Sequence, residues 1–223
     1  MKVAALFSGG KDSTYAIYLA QSRGWEVTEL VTMVPEAGES YMFHVPNIGL
    51  CGMLAEAMGI AHARFPTSGE EELELEDLGK ALARLKVRGV VSGAIASDYQ
   101  HTRIDRLCHG LGLVSHSPLW RRPQEAVLKD IVTAGFRVMV VGVYAEGLGK
   151  EWLGRILDGK ALAELGSVAQ EKGINVSGEG GEFETLVLDG PNFAKRLDII
   201  GSETIWQGNH GEFLVKKAML AGK

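Results

Sequence analysis

Lys2-Val3-Ala4-Ala5-Leu6-Phe7-Ser8-Gly9-Gly10-Lys11-Asp12-Ser13 is the stretch that decides the fold. Its first half is a short apolar run that reads as a β-strand, and Ser13–Arg23 carries Ala16, Leu19 and Ala20 at helical spacing before Gly24. Between them, two adjacent glycines allow positive φ and can turn backbone N–H groups toward one point, making an anion nest. The helix start adds its free N–H groups and dipole to the same field. Lys11 supplies a point charge, and Ser8 and Ser13 supply hydroxyls. Such a turn fits a pyrophosphate. A Gly-Gly turn followed by a Ser or Asp cap is the structural alternative, but the strand-to-helix placement favours the anion site. The Gly-x-x-x-x-Gly-Lys-Ser/Thr spacing of a Walker A loop is absent.

Working outward, strand-like and helix-like segments alternate: Glu26–Val34, Leu50–Met58, Ala61–Phe65, Leu78–Val87, Val90–Ile95 and Asp98–Leu111. This alternation predicts a doubly wound parallel sheet with helices on both faces. Glu70–Asp77 reads as a solvated acidic connection or a helix start. A soft boundary near Leu119–Pro123 divides the chain into a nucleotide-binding domain, 1–122, and a smaller C-terminal α/β domain, 123–223, assigned to substrate recognition. The second block holds helices over Gln124–Ala134 and Ala161–Lys172, then strands over Arg137–Tyr144, Thr185–Leu188, Ile199–Trp206 and Glu212–Leu220.

Composition narrows the function classes. The 223 residues are 46% hydrophobic and 23% charged, with formal net charge −5. That balance is globular and removes whole-surface attraction to nucleic acid as a driving force. The opening apolar run is too short for a signal peptide or membrane span, so a cytoplasmic protein is expected. Two cysteines, Cys51 and Cys108, form no Cys-x-x-Cys pair, and the six histidines have no zinc-ligand spacing.

Two further constellations carry chemistry. Gly93-Ala94-Ile95-Ala96-Ser97-Asp98-Tyr99-Gln100 lies where a strand meets a helix, the end of a parallel sheet at which ligands bind. Ser97 and Gln100 make a capping box, and Tyr99, Arg103 and Arg106 share one helix face. Cleft lining or mere capping and solvation are both open there. Gly178-Glu179-Gly180-Gly181-Glu182-Phe183-Glu184-Thr185 crowds three carboxylates onto a loop, either to hold a cation or as an exposed turn with charges pointing apart. Adenine is expected across the first two strands, near Phe7 and Thr32–Met33.

The Ser8–Ser13 hexapeptide resembles, residue for residue, the PP-loop of the N-type ATP pyrophosphatases. Taken in order with the Gly93–Arg103 run, Pro118-Leu119-Trp120 and the Gly178–Thr185 run, it is similar to the diphthine–ammonia ligase family, from the first residues to about Phe193. Tyr41-Met42-Phe43-His44 resembles a further family segment. The resemblance implies a Rossmann-like, HUP-type fold. It also implies ATP-dependent amidation of the diphthine carboxylate on elongation factor 2 with ammonium, through an acyl-adenylate, giving AMP and pyrophosphate. The length suggests the short archaeal-type form. Ser8, Gly9, Gly10, Lys11, Asp12 and Ser13 are then expected to hold the phosphates, with Phe7 and Met33 at the base. Lys11, Arg103 and Tyr99 are the expected catalytic groups. Substrate is assigned to His44, Ser97, Tyr99, Gln100, Glu179, Glu182, Phe183 and Glu184, where aromatic faces and carboxylates suit a trimethylammonium group or ammonium. Magnesium is expected, with Asp12 as a candidate ligand. Both cysteines fall in amphipathic helices and read as structural, so free ammonium rather than glutamine is the expected nitrogen source. The expected partners are elongation factor 2 and ammonium, with no nucleic acid or membrane; a homodimer is left open. Rival readings are another PP-loop ligase acting on tRNA or a small molecule, and a non-catalytic ATP or AMP sensor.

Overall fold

In the computed structural model, which describes residues 1–35, 46–68 and 71–223, alternation along the first strand sets the layers. Strand β1 (Lys2–Leu6) buries Val3 and Ala5, followed by Phe7, in one core, and Ala4 and Leu6 in another. A strand buried on both faces belongs in the middle of a covered parallel sheet. The first sheet is parallel in the order β3-β2-β1-β4-β5, with β2 at Glu26–Pro35, β3 at Ala61–Thr67, β4 at Gly89–Val91 and β5 at Val114–His116. Helices α1 (Lys11–Ser22) and α2 (Cys51–Met58) contribute to the first core; α3 (Glu71–Leu82) and α4 (Asp98–Gly110) contribute to the second. The doubly wound, Rossmann-like expectation holds.

Two local differences have simple causes. Helix α3 starts inside the acidic run, seven residues before the expected Leu78. Carboxylates favour a helix N-terminus, and the Leu-Glu alternation of 73–76 hid the 3.6-residue period of buried Leu78, Ala81 and Leu82. Strand β5 is only three residues long, with exposed Val114, and carries too little pattern to be seen.

The second half is a four-stranded antiparallel sheet, β7-β6-β9-β8, rather than a continuation of parallel winding. Its strands are β6 (Arg137–Val143), β7 (Phe183–Asp189), β8 (Lys195–Gln207) and β9 (His210–Gly222); helices α5 (Gln124–Thr133) and α6 (Gly159–Lys172) accompany it. Leu128, Phe136, Val141, Leu186 and Leu197 join Ile17 and Leu54 in one apolar cluster, so the halves share a core. Edge strand β7 does not face solvent beside the first sheet: the Val187 N–H donates to the Gly9 carbonyl at 2.9 Å. Among the described residues no helix is long and apolar enough to cross a membrane.

Candidate functional site

The strand order reverses between β1 and β4, and a cleft of about 370 Å³ opens there, at the carboxyl ends of the strands. Its apolar part is made by Leu6, Phe7, Val31, Met33, Ile48 and Ile104, and its polar part by the turn after β1, the segment after β4 and the start of β7.

The turn after β1 joins that strand to α1. Gly9 has φ +80°, a conformation costly for other residues, and Gly10 sits at the N-cap of α1 in extended backbone. Gly10 has no side chain to cap with, so the first N–H groups of α1 need outside acceptors. The Lys11 N–H finds the Thr185 hydroxyl at 3.1 Å, contributed by β7. Ser8 and Ser13 place their Oγ atoms 3.2 Å apart. On the opposite wall Gly93 lies against the helix start, where an added Cβ would come within 2.6 Å of the Ser13 nitrogen.

Lys11 is only 4% exposed; its Nζ is 2.8 Å from Asp12 Oδ2 and 5.3 Å from the centre of the Phe183 ring. Burial raises the Asp12 carboxyl above its ordinary range, opposed by Lys11 and reinforced by Glu179. Asp12 Oδ1 is buried with no hydrogen-bond partner. That orphaned oxygen fits a cation brought by phosphates, since magnesium commonly takes one or two protein carboxylates and keeps phosphate and water for the rest. Among the described residues no group of three or more His, Cys, Asp or Glu is arranged to hold a metal by itself.

The three carboxylates of the Gly-Glu loop are not equivalent. Glu179 Oε1 accepts from the N–H groups of Ile95 and Ala96, both at 2.8 Å, and joins the loop to the segment after β4. Glu182 is turned into its own loop, accepting from the Asn175 and Gly180 N–H groups at 2.8 Å each. Glu184 lines the cleft, and burial pushes its carboxyl up to about 7, with Lys11 pulling it down and Asp12 and Glu179 adding to the rise. Like charges on the loop are therefore accounted for in part by structure: two of the three carboxylates hold backbone amides.

The structure brings Phe7, Ser8, Gly10, Lys11, Asp12, Ser13, Met33, Gln100, Glu179, Phe183 and Glu184 to the cleft wall. Gly9 supports the turn from behind through its carbonyl. Ser97 caps α4, its Oγ accepting from the Gln100 N–H at 3.3 Å. Helix α4 presents Gln100 and Ile104 to the cleft; Tyr99, Arg103 and Arg106, which share the adjoining helix face, are not among the described residues that line it. Tyr99 and Arg103 stack on each other, the guanidinium carbon 3.7 Å from the ring centre. Tyr41–His44 lies outside the described residues. Thr185, Ser92 and Gly93 line the cleft without having been singled out as site residues. The signal for Thr185 was available: a glycine N-cap leaves orphan amides that some hydroxyl or carboxylate must accept. Thr185→Val, nearly isosteric, leaves the Lys11 N–H without that acceptor and is expected to cost about 1–3 kcal/mol. Denaturant unfolding checks this, with Thr185→Ser retaining the bond and the stability.

Comparisons with known proteins show the family. The profile of the Diphthamide synthase N-terminal domain matches residues 1–115, and that of the Diphthamide synthase C-terminal domain matches residues 123–221, which carries the likeness well past Phe193. A diphthine–ammonia ligase of Danio rerio is 34% identical, over 92% of this chain and 89% of the relative. The human diphthine–ammonia ligase is 33% identical, over 92% of this chain and 85% of the relative. The Schizosaccharomyces pombe diphthine–ammonia ligase is 34% identical over the whole chain, which spans 40% of that longer relative. A solved structure titled as a predicted subunit of tRNA methyltransferase from Methanocaldococcus jannaschii superposes with a TM-score of 0.49 at 17% identity, covering 86% of this chain and 98% of that one, too loosely to bear on function. With both domain profiles matched in sequence order and relatives above 30% identity along most of their length, the chain belongs to the diphthamide synthase family of diphthine–ammonia ligases.

Proposed function

We propose that this protein amidates the diphthine carboxylate of elongation factor 2 with ammonium, consuming ATP through an acyl-adenylate and releasing AMP and pyrophosphate. The observation that carries the reading is the anion-binding turn of Ser8–Ser13 at the reversal point of the sheet, in a cleft whose other end is apolar. A carboxylate does not react with ammonia at neutral pH because its leaving group is oxide. Attack of a carboxylate oxygen on the α-phosphorus makes a bond to AMP, which leaves readily. The enzyme's work is then to position the two reactants and to neutralise charge on the phosphates.

In this reading Ser8, Gly9, Gly10, Lys11, Asp12 and Ser13 hold the pyrophosphate end, and Phe7 and Met33 bound the base. Lys11, buried beside Asp12, offsets negative charge as pyrophosphate departs. Magnesium would be held through Asp12 Oδ1 and the phosphates, and when bound it supplies further charge neutralisation. The acceptor enters past Gln100, Glu179 and Glu184. Tyr99 and Arg103, on the neighbouring face of α4, are assigned to the approach of the acceptor rather than to the cleft wall; Ser97 fixes the start of that helix. Phe183 serves Lys11 and packs in the core, 3% exposed, while Glu182 shapes the loop. His44 stays in the proposal as a substrate contact.

The thiols support ammonium as the nitrogen source. Cys51 and Cys108 are both buried, and desolvation pushes them up to about 12 and about 11, so neither is the thiolate that glutamine hydrolysis requires. The test is pyrophosphate release from ATP with diphthine-bearing elongation factor 2. Release sustained over many turnovers is expected with ammonium and not with glutamine, and the Cys51→Ala and Cys108→Ala variants are expected to retain it. Splitting of ATP to ADP and orthophosphate, turnover that follows RNA instead of the factor, or nucleotide binding without turnover would each overturn the proposal.

A further inference from the structure

We propose that Glu184 is the catalytic base of the amidation, taking a proton from ammonium inside the cleft; this rests on the ligase reading above. Ammonium has no lone pair to attack with, so a site that uses it needs an acceptor for its first proton. Four carboxylates surround the polar end of the cleft or its loop, and the structure separates them. Asp12 Oδ2 is paired with the Lys11 ammonium at 2.8 Å. Glu179 is engaged by two backbone amides across the cleft, and Glu182 by two within its loop. Among the described residues Glu184 has no amide or cation at hydrogen-bond distance and stands on the cleft wall between Phe183, which faces Lys11, and Thr185, which caps the phosphate turn.

The charged and titratable groups that bear on Glu184 come from three elements: Lys11 and Asp12 from α1, Glu179 from the loop before β7, and Tyr144 just beyond β6, itself hydrogen-bonded to Glu212. Directly across the ladder from Glu184 is Gly142, which adds no side chain of its own. Burial of this kind pushes the carboxyl up to about 7, so it exchanges a proton readily at neutral pH.

The step balances as follows. Ammonium gives one proton to the Glu184 carboxylate and becomes ammonia. The nitrogen lone pair forms a bond to the acyl carbon, the bond from that carbon to the adenylate oxygen breaks, and its electron pair leaves with AMP. The second proton lost as the amide forms passes to the departing AMP phosphate, and Glu184 releases its own proton to solvent.

The experiment compares Glu184→Gln with the unaltered enzyme in three assays using diphthine-bearing elongation factor 2. Amide formation from ammonium is expected to fall by about 100-fold, the scale of a lost general base. Exchange of pyrophosphate into ATP, which reports adenylation alone, is expected to fall far less. Hydroxylamine, already unprotonated at neutral pH, is expected to restore acyl transfer as the hydroxamate. The ammonium-dependent rate of the unaltered enzyme is expected to level off as pH climbs past about 7, whereas that of Glu184→Gln, left to the free ammonia whose share grows with alkalinity, is expected to keep climbing. Wild-type ammonium kinetics in Glu184→Gln, or equal losses with ammonium and hydroxylamine, overturn the base assignment. No pyrophosphate exchange in the unaltered enzyme overturns the ligase reading instead, and the base assignment with it.

Discussion

Lys11→Met is expected to lower pyrophosphate exchange into ATP by about 100- to 1,000-fold, the effect of removing one preorganised charge from a phosphoryl-transfer site. Methionine keeps most of the volume and the contact with Phe183 while deleting the ammonium 2.8 Å from Asp12. The same change alters stability with a definite sign. Burial already lifts the Asp12 carboxyl, and Lys11 is the opposing influence, so its loss lifts Asp12 further. A carboxyl whose folded-state pKa exceeds its unfolded value binds more protons when folded, so stability falls as pH rises through the gap between the two. Lys11→Met should therefore melt near the wild-type temperature in acid and below it at neutral pH. Breaking a fully buried pair costs about 3–5 kcal/mol, and the Asp12 side chain is 24% exposed, so the loss here is smaller. Thermal unfolding across pH together with the exchange assay checks both halves. Wild-type exchange in this variant would remove the phosphate turn from the mechanism.

Gly93→Ala is expected to be the most damaging single-methyl change in the cleft. The new Cβ would lie 2.6 Å from the Ser13 nitrogen, 2.8 Å from the Asp12 carbonyl carbon and 2.9 Å from the Ser13 Cα. All three are backbone atoms, so no side chain can rotate out of the way. Relief requires the start of α1 to back off from the end of β4, which pulls apart the two walls that face a bound nucleotide. Overpacking of this sort costs about 1–3 kcal/mol. For a chain of this size that corresponds to a melting-temperature drop of roughly 5 °C. The more telling measurement is the rise in melting temperature on adding ATP, expected in the unaltered protein and absent in the variant. An alanine protein that still gains stability from ATP would show that the close approach is not needed for binding.

The parallel half and the glycine turn that follows its first strand were legible because their signals are local. A strand, two glycines, a lysine and a helix start lie within twelve consecutive residues, and the alternation of Val3, Ala5 and Phe7 against Ala4 and Leu6 is a period-two pattern. What the sequence could not separate was Glu179, Glu182 and Glu184. The three side chains are chemically identical and lie within six residues. Their different fates depend on Ile95, Ala96, Asn175 and Gly180, which the fold brings to them. The same holds for α4: its register was readable, but one residue of rotation decides whether Tyr99 and Arg103 or Gln100 and Ile104 meet the cleft, and that is set by packing of Ile104 and Cys108 against the second core. The antiparallel pairing of the last four strands was hidden because strand-like composition does not state direction. The long β8–β9 hairpin, paired from Lys195–Gly222 to Gln207–His210, appears only once partners are known.

The hydroxyl that caps the Lys11 amide comes from 174 positions downstream, and the amide that fixes the Gly9 carbonyl from still further along. During synthesis the ribosome makes this turn long before the groups that hold it. A growing chain thus carries its lysine and glycines through 174 further positions before the hydroxyl that caps them is made. Until β7 leaves the exit tunnel, the Lys11 amide and the Gly9 carbonyl are without the two partners that fix them in the finished fold.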